Sequence, residues 1–84
     1  MIYRLGELFC GPGGIAWGAM NADIGIPDFR IVHQWANDYD ADTCNTYRHN
    51  ICPDAPETVY HEDIRKFDMS HLAPIDALAF GFPC

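Results

Sequence analysis

YRLGELFCGPGG, residues 3–14, decides the fold of this chain. Its first part becomes apolar toward its end, which indicates a short β-strand over Tyr3–Phe9. A glycine-rich turn follows at residues 10–14, and the small apolar residues of Ile15–Ala22 then indicate a short helix. A strand, a turn and a helix in this order begin a β-α-β unit, in which the two strands pair in parallel through a right-handed crossover.

The same alternation continues along the chain. Arg30–Ala36 (RIVHQWA) is β-branched and aromatic, which predicts a second strand. Asp40 or Asp42 can cap a helix that runs to about His49. The helix has an apolar stripe formed by residues near helical spacing, namely Ala41, Cys44, Tyr47 and Ile51.

Two further strands complete the pattern. Thr58–His61 (TVYH) is short, and a mostly polar loop with one helical turn covers 62–73. Asp76–Phe82 (DALAFGF) is a nearly continuous apolar run, which suits a strand buried on both faces. The fold class is therefore α/β, a Rossmann-like parallel sheet. Because doubly wound sheets normally continue past a fourth strand, we expect the sheet to be incomplete, with this strand partly uncovered.

Composition and charge narrow the function classes. The chain has 84 residues, enough for one small domain. Five basic residues against twelve acidic ones give a net charge of −7, so the chain is not expected to grip a phosphate backbone by itself. The sequence contains neither an apolar run of about 18 residues nor a signal-peptide pattern, which predicts a cytoplasmic protein.

The four cysteines follow no Cys-x-x-Cys spacing. Since nothing in the sequence indicates secretion, we expect reduced thiols rather than disulfides. A zinc site assembled from the nearest Cys and His residues would use a spacing that fits no usual pattern, so no metal is predicted. That set would be Cys44, His49, Cys52 and His61.

The turn after the first strand carries the first functional signal. Its glycines let the backbone pass close to a ligand, and the following helix N-terminus offers unpaired N–H groups to an anion. This suits a pyrophosphate or the carboxylate of an amino acid. Gly11, Gly13 and Ala16 also satisfy the loose dinucleotide fingerprint, and a plain tight turn is the alternative.

Acidic residues follow the second and third strands. In 37–40 (NDYD), Asp38 can accept hydrogen bonds from ribose hydroxyls, and Tyr39 offers a face for an adenine ring. The alternative is a helix cap beside a core tyrosine. In 62–65 (EDIR), a carboxylate at the end of a strand can accept a hydrogen bond from an adenine amino group, and the next backbone N–H can reach a ring nitrogen. The alternative there is a solvated charge cluster.

The segment 81–84 (GFPC) ends the fourth strand. Gly81 and Pro83 determine the turn, and the thiol of Cys84 is carried to the edge of the sheet where open α/β folds place their ligands. A thiol at this edge is a candidate nucleophile. The alternative is a buried structural cysteine.

Together, in this order, the four segments resemble the cytosine-5 methyltransferases that act on DNA. Residues 9–14 (FCGPGG) look like the family's first motif, 37–40 like its ribose and adenine motif, 63–64 like its third, and 81–84 like the start of its nucleophile motif. The resemblance spans essentially the whole chain but only the first part of the family's sequence. It implies that 1–84 form the first four strands of a class I S-adenosylmethionine-dependent methyltransferase domain, in the order 3-2-1-4.

The resemblance implies S-adenosylmethionine as the methyl donor. The residues it assigns to cofactor binding are Phe9, Gly11, Pro12, Gly13, Gly14, Asp38, Tyr39, Asp63, Ile64 and Pro83. The glycine turn would surround the methionine part with its backbone.

The roles of the other cofactor residues follow the same resemblance. Phe9 would lie against the cofactor, Asp38 would hold the ribose, and Tyr39 would cover the adenine, where the family more often has tryptophan. Asp63 with Ile64 would hold the adenine edge. Cys84 would be catalytic, attacking C6 of a cytosine flipped out of the duplex so that C5 can take the methyl group.

Parts of the family's sequence are absent from these residues, including the variable region that reads DNA. We therefore expect double-stranded DNA to bind through another part of the protein or a complementary chain, and the 84 residues alone to be inactive. Three alternatives remain open. They are a tRNA cytosine-5 methyltransferase, an NAD-binding dehydrogenase, and a non-catalytic fragment that docks to a partner. Methylation of duplex DNA against tRNA, and binding of S-adenosylhomocysteine against NAD, separate the enzymes.

Overall fold

The computed structural model describes residues 1–22 and 25–81. Within these ranges the chain forms four strands and two helices. The strands are β1 (Ile2–Leu8), β2 (Arg30–Asp38), β3 (Val59–His61) and β4 (Ala77–Phe80), and the helices are α1 (Gly14–Met20) and α2 (Ala41–Ile51). Short 3₁₀ turns lie at Pro56–Thr58, Ile64–Lys66 and Met69–His71.

The strands form one parallel sheet in the order β3-β2-β1-β4. This confirms the Rossmann-like α/β class and the strand order expected from the sequence. Leu8 at the end of β1 is paired with Asn37, and Asn37 is paired with Tyr60 in β3. Because parallel strands place their carboxyl ends at one edge, the segments that follow β1, β2 and β3 start side by side.

Helix α2 begins at an N-cap. The side chain of Asp40 accepts a hydrogen bond from the backbone N–H of Thr43 at 2.9 Å, which satisfies one donor of the first turn. One face of the helix buries Cys44, Tyr47 and Ile51. The prediction that Ala41 belongs to this buried stripe is wrong, because Ala41 is the first helical residue and is still exposed to solvent.

The core lies where the helices pack on the sheet. Both helices contact β2, and they also contact each other. The buried cluster joins apolar residues of β1, β2, β3 and both helices with a cysteine of the glycine turn and one that follows α2. Its members are Leu5, Cys10, Ala16, Ala36, Cys44, Tyr47, Ile51, Cys52 and Val59. This packing holds the turns at the carboxyl edge of the sheet in place.

Strand β4 differs from the expectation of burial on both faces. It pairs with β1, but Leu78 is 48% exposed and Phe80 is 56% exposed. Within the described part of the chain, neither helix packs on β4 as both do on β2, and that explains the exposure. The other expectation from the sequence, that the fourth strand is partly uncovered, is confirmed.

Candidate cofactor site

The loops after the first three strands are tied together by backbone hydrogen bonds. The N–H of Cys10 donates to the carbonyl oxygen of Asn37 at 3.0 Å, and the N–H of Glu62 donates to the carbonyl oxygen of Asp38 at 3.1 Å. Each bond continues the parallel pairing just beyond a strand end. The three loops therefore begin at defined distances from one another.

A cavity of about 210 Å³ opens between these loops. The residues that line it are Phe9, Asn37, Tyr39, Glu62, Asp63, Ile64 and Arg65. Four of them were predicted as cofactor residues from the sequence, and they come from three separate loops. Sites that bury a drug-sized ligand usually exceed about 300 Å³, so this cavity suits one part of a ligand, such as a single ring system.

Phe9 reaches the cavity through an unusual backbone conformation. Its φ angle is +53°, in the left-handed region that residues with a Cβ atom rarely adopt. The sequence predicted that β1 continues to Phe9, but this turn ends the strand at Leu8. The next residue, Cys10, is buried in the core. A strained backbone at a side chain that lines a cavity is typical of functional sites and costs about 1–3 kcal/mol.

Asp38 connects the second loop to the glycine turn. Its Oδ2 accepts a hydrogen bond from the backbone N–H of Gly11 at 3.1 Å, and its Oδ1 accepts from the N–H of Asp40 at 3.0 Å. Asp38 is not the cap of α2, since Asp40 has that position. Tyr39 is 68% exposed, so the alternative of a core tyrosine is also wrong.

The glycine turn needs glycine for two different reasons. Gly11 (φ +60°) and Gly13 (φ +108°) are both in the left-handed region. A Cβ atom on Gly13 would also lie 2.8 Å from Cγ1 of Ile51, too close for any real contact. The turn therefore tolerates a side chain poorly at either position, and least at Gly13.

Part of the glycine turn faces a second cavity. This cavity has a volume of about 400 Å³ and lies between the start of α1 and the end of α2. Its lining residues are Pro12, Gly13, Gly14, Trp17, Asn50 and Ile51. The sequence had placed Pro12–Gly14 in one site with Phe9 and Tyr39, whereas the structure divides these residues between two neighbouring cavities.

The carboxylate of Asp63 is held by its own loop. It accepts hydrogen bonds from the backbone N–H of Arg65 at 3.0 Å and from the guanidinium Nη2 of Arg65 at 2.6 Å. These hydrogen bonds lower the pKa of Asp63 to about 2. The Arg65 side chain is 82% exposed, so the pair lies at the surface and the carboxylate stays ionised as an acceptor on the cavity rim.

A buried chain of polar groups lies beneath the glycine turn. The hydroxyl of Tyr47 is 3.2 Å from Oε1 of Glu7 and 2.9 Å from Nδ1 of His33. Nε2 of His33 lies 2.7 Å from the hydroxyl of Thr58. Burial raises the pKa of Glu7 to about 7 and lowers the pKa of His33 to about 4. Both side chains are therefore largely neutral in mildly acidic solution.

Three cysteines within the described residues are free and buried, namely Cys10, Cys44 and Cys52. Burial raises the pKa of each thiol, so none of the three provides a thiolate at neutral pH. Pro83 and Cys84, the predicted nucleophile turn, lie outside the described residues.

Residues 1–22 and 25–81 contain no cluster of three or more His, Cys, Asp or Glu side chains that could hold a metal ion. In the same residues, no helix is both long and apolar enough to span a membrane.

The sequence did not identify three residues that line the smaller cavity. Glu62 and Arg65 flank the predicted pair Asp63–Ile64 and gave no separate signal. Asn37 is different, because a polar side chain at the end of an otherwise apolar strand is a recognisable signal. It is only 1% exposed, and a buried amide requires hydrogen-bond partners.

Comparison with known proteins identifies the family of this chain. The family model described as C-5 cytosine-specific DNA methylase matches residues 3–84. The chain is 49% identical over 92 aligned residues to the type II methyltransferase M.BbvI of Brevibacillus brevis, covering all of this chain and 25% of that protein. It is 38% identical over 84 residues to the type II methyltransferase M.PspPI of Psychrobacter sp. (strain TA137), covering 98% of this chain and 18% of that protein. No solved structure gives a significant match.

Proposed function

Because this chain belongs to the C-5 cytosine-specific DNA methylase family, we propose that it is the part of a DNA cytosine-5 methyltransferase that binds S-adenosylmethionine and supplies the nucleophile. The chain spans a quarter of M.BbvI, at that protein's N-terminal end. Residues 1–84 would then be the first part of the catalytic domain. Binding of DNA would depend on other parts of the protein.

The observation that carries the proposal is the cavity at the carboxyl edge of the sheet. It brings together two aromatic residues, Phe9 and Tyr39, with Asp63 and Ile64. Aromatic faces with a single edge of hydrogen-bonding groups suit a purine. The cavity has the size expected for one ring system, so the residues present fit the adenine of the cofactor.

The glycine turn and Asp38 suit the remainder of the same ligand. Asp38 is in direct contact with the backbone of Gly11, and each of its oxygens has a second lone pair for a ribose hydroxyl. The turn Gly11–Gly14 would surround the methionine part. S-adenosylmethionine, when bound, supplies an electrophilic methyl group on a cationic sulfonium. The net charge of −7 favours such a cationic ligand over a dinucleotide with two phosphates.

Cys84 is the proposed nucleophile. Its thiolate would form a bond to C6 of the target cytosine, and the electron pair of the C5–C6 double bond would move toward C5. C5 would then form a bond to the methyl carbon of the cofactor, and the methyl–sulfur bond would break to leave S-adenosylhomocysteine. The S–C6 bond would break again when a base removes the proton from methylated C5. The buried thiols of Cys10, Cys44 and Cys52 are poor candidates for this step, because their pKa values are raised.

A joined protein tests the proposal. We define it as residues 1–84 of this chain in place of the matching N-terminal quarter of M.BbvI. Duplex DNA, tRNA and labelled S-adenosylmethionine are the substrates, and the intact B. brevis enzyme is the reference. We expect label at C5 of cytosine in duplex DNA, and none when the joined protein carries Cys84→Ser. Label only in tRNA, or tighter binding of NAD than of S-adenosylhomocysteine, would contradict the proposal.

A further inference from the structure

Asn37 lines the proposed adenine site, although the sequence assigned it no role. It is the penultimate residue of β2, between Leu8 of β1 and Tyr60 of β3 in the register of the sheet. Its side chain is among the most completely buried in the protein, with 1% exposure, and it lines the 210 Å³ cavity.

The side-chain amide of Asn37 holds the loop that follows β3. Nδ2 donates one hydrogen bond to the carbonyl oxygen of Tyr60 at 3.0 Å and another to the carbonyl oxygen of Glu62 at 3.0 Å. Both amide hydrogens are therefore used. The Glu62 residue is held at its carbonyl by Asn37 and at its N–H by the carbonyl of Asp38.

The backbone of Asn37 holds the opposite wall. Its carbonyl oxygen accepts a hydrogen bond from the N–H of Cys10 at 3.0 Å, directly after Phe9. Asn37 is therefore hydrogen-bonded to both loops, the one that carries Phe9 and the one that carries Asp63 and Ile64. The separation of these two loops sets the width of the cavity.

The orientation of the amide is determined by its neighbours. Two carbonyl oxygens face one end of the side chain, so that end must be the NH₂ group, and Oδ1 points the other way. Oδ1 is buried and has no hydrogen-bond partner in the described part of the chain. A buried unsatisfied oxygen is unfavourable, and natural proteins keep such groups where a ligand or a water can satisfy them.

We propose that Asn37 is a positioning residue for adenine recognition, which holds Asp63 and Ile64 at the distance from Phe9 that a 6-aminopurine requires. This inference rests on the proposed function. Its specific consequence concerns the purine edge. If Asn37 sets the place of Asp63, the site distinguishes a 6-amino from a 6-oxo purine through Asn37, because the Asp63 carboxylate accepts from an amino group and repels an oxygen.

The test compares two ligands that differ only at that position. S-adenosylhomocysteine has the 6-amino group, and S-inosylhomocysteine has oxygen there. Calorimetry gives the dissociation constant of each for the joined protein and for its Asn37→Ala and Asn37→Ser variants. Asn45→Ser is the matched control, since Asn45 is an exposed asparagine on α2.

The expected result is a loss of discrimination. In Asn37→Ala the affinity for S-adenosylhomocysteine falls about tenfold, the affinity for S-inosylhomocysteine changes less than about threefold, and the Asn45→Ser control is unchanged. In turnover, KM for S-adenosylmethionine rises while kcat is kept. If the role of Asn37 is purely structural, the substitution would weaken the binding of both ligands by the same factor. The ratio of the two dissociation constants would then stay unchanged, and that result would overturn the inference.

Asn37→Ser retains one donor and provides the comparison if the alanine variant does not fold. A further measurement uses the unsubstituted protein. The Nδ2 protons of Asn37 should exchange slowly with solvent, and their NMR signals should move more with S-adenosylhomocysteine than with S-inosylhomocysteine. Fast exchange, or equal movement, would contradict the inference. Binding of neither ligand would refute the proposed function itself, whereas binding with an unchanged ratio would refute only the role of Asn37.

Discussion

The carboxylate of Asp38 accepts a hydrogen bond from the backbone N–H of Gly11, 27 positions away in the chain, at 3.1 Å. The residue proposed to hold the ribose is thus also an anchor of the turn proposed to hold the methionine part. The two halves of the proposed cofactor site are coupled through this contact. Its removal should therefore affect both stability and binding.

Asp38→Ala tests this coupling. Two backbone N–H groups, of Gly11 and Asp40, lose their acceptor, so the free energy of unfolding should fall by about 1 kcal/mol. The affinity for S-adenosylhomocysteine should fall by about 1.5–3 kcal/mol in the joined protein, as for a hydrogen bond to a charged group. Asp42→Ala, with the same change of charge on the exposed first turn of α2, is the control. Equal affinities of the two variants would show that Asp38 does not hold the ribose.

Gly11 and Gly13, the two glycines of the turn with positive φ, should differ in their response to substitution. Gly11→Ala adds a side chain in open space, so only the backbone strain of about 1–2 kcal/mol is expected. Gly13→Ala adds the same strain and a contact of 2.8 Å with Ile51, and should destabilise the fold by about 1–3 kcal/mol more. Chemical denaturation measures both. Adding Ile51→Ala to Gly13→Ala should recover part of the loss in a double-mutant cycle, and an additive result would contradict the steric explanation.

Glu7 and His33 should give stability two opposing dependences on pH. The pKa of Glu7 rises from 4.5 to about 7 on folding, so its contribution is complete below pH 4.5 and is lost as the pH rises through about 7. The pKa of His33 falls from 6.5 to about 4, so its contribution is complete above pH 6.5 and is lost as the pH falls toward 4. Between about pH 4.5 and 6.5, the contribution of Glu7 to the free energy of unfolding falls with rising pH and that of His33 rises. The two slopes of this free energy against pH therefore largely cancel.

Single substitutions should reveal each slope. In Glu7→Gln only the His33 slope remains, and the free energy of unfolding should rise with pH by up to about 1.4 kcal/mol per unit in this window. In His33→Gln the Glu7 slope remains, and the free energy should fall with pH. Denaturant titrations at several pH values measure the free energy of unfolding of both variants. Other titrating groups affect the two variants equally, so the difference between the two slopes reports only Glu7 and His33. Slopes of the same sign and size would contradict the assignment.

Cys84 should be the residue that forms a covalent bond with DNA. In the joined protein, duplex DNA with 5-fluorocytosine at the target should trap an adduct, since fluorine cannot leave as the C5 proton does. Cys84→Ser should abolish both the adduct and turnover but keep S-adenosylhomocysteine binding, because the two side chains are nearly isosteric and a hydroxyl ionises far less than a thiol. Peptide mapping of the adduct identifies the cysteine. An adduct on Cys10, Cys44 or Cys52, or one formed by the 84-residue chain alone, would show the assignment to be wrong.

The sequence alone was sufficient to predict the architecture. The chain alternates apolar strands with short helices and has a glycine turn after the first strand, which indicated parallel β-α-β units. This pattern was readable because the spacing of apolar residues and the position of a turn are local properties of the chain. The family resemblance added the strand order. The capping of α2 by Asp40 and the buried positions Cys44, Tyr47 and Ile51 were also predictable, since a cap and a helical stripe depend on residues within a few positions of each other.

What only the tertiary structure decided is which side chains share a cavity. The division of the glycine turn from Phe9 and Tyr39, the bond from Asp38 to Gly11, and the placement of Asn37 between two loops all join residues that are distant in the sequence. Such contacts depend on the register of parallel strands and on backbone angles such as the positive φ of Phe9. Strand β4 shows the same limit, because its apolar residues indicate what the strand can bury, while the surrounding packing decides what it does bury. A local pattern determines which elements form, and long-range pairing determines which of their side chains meet.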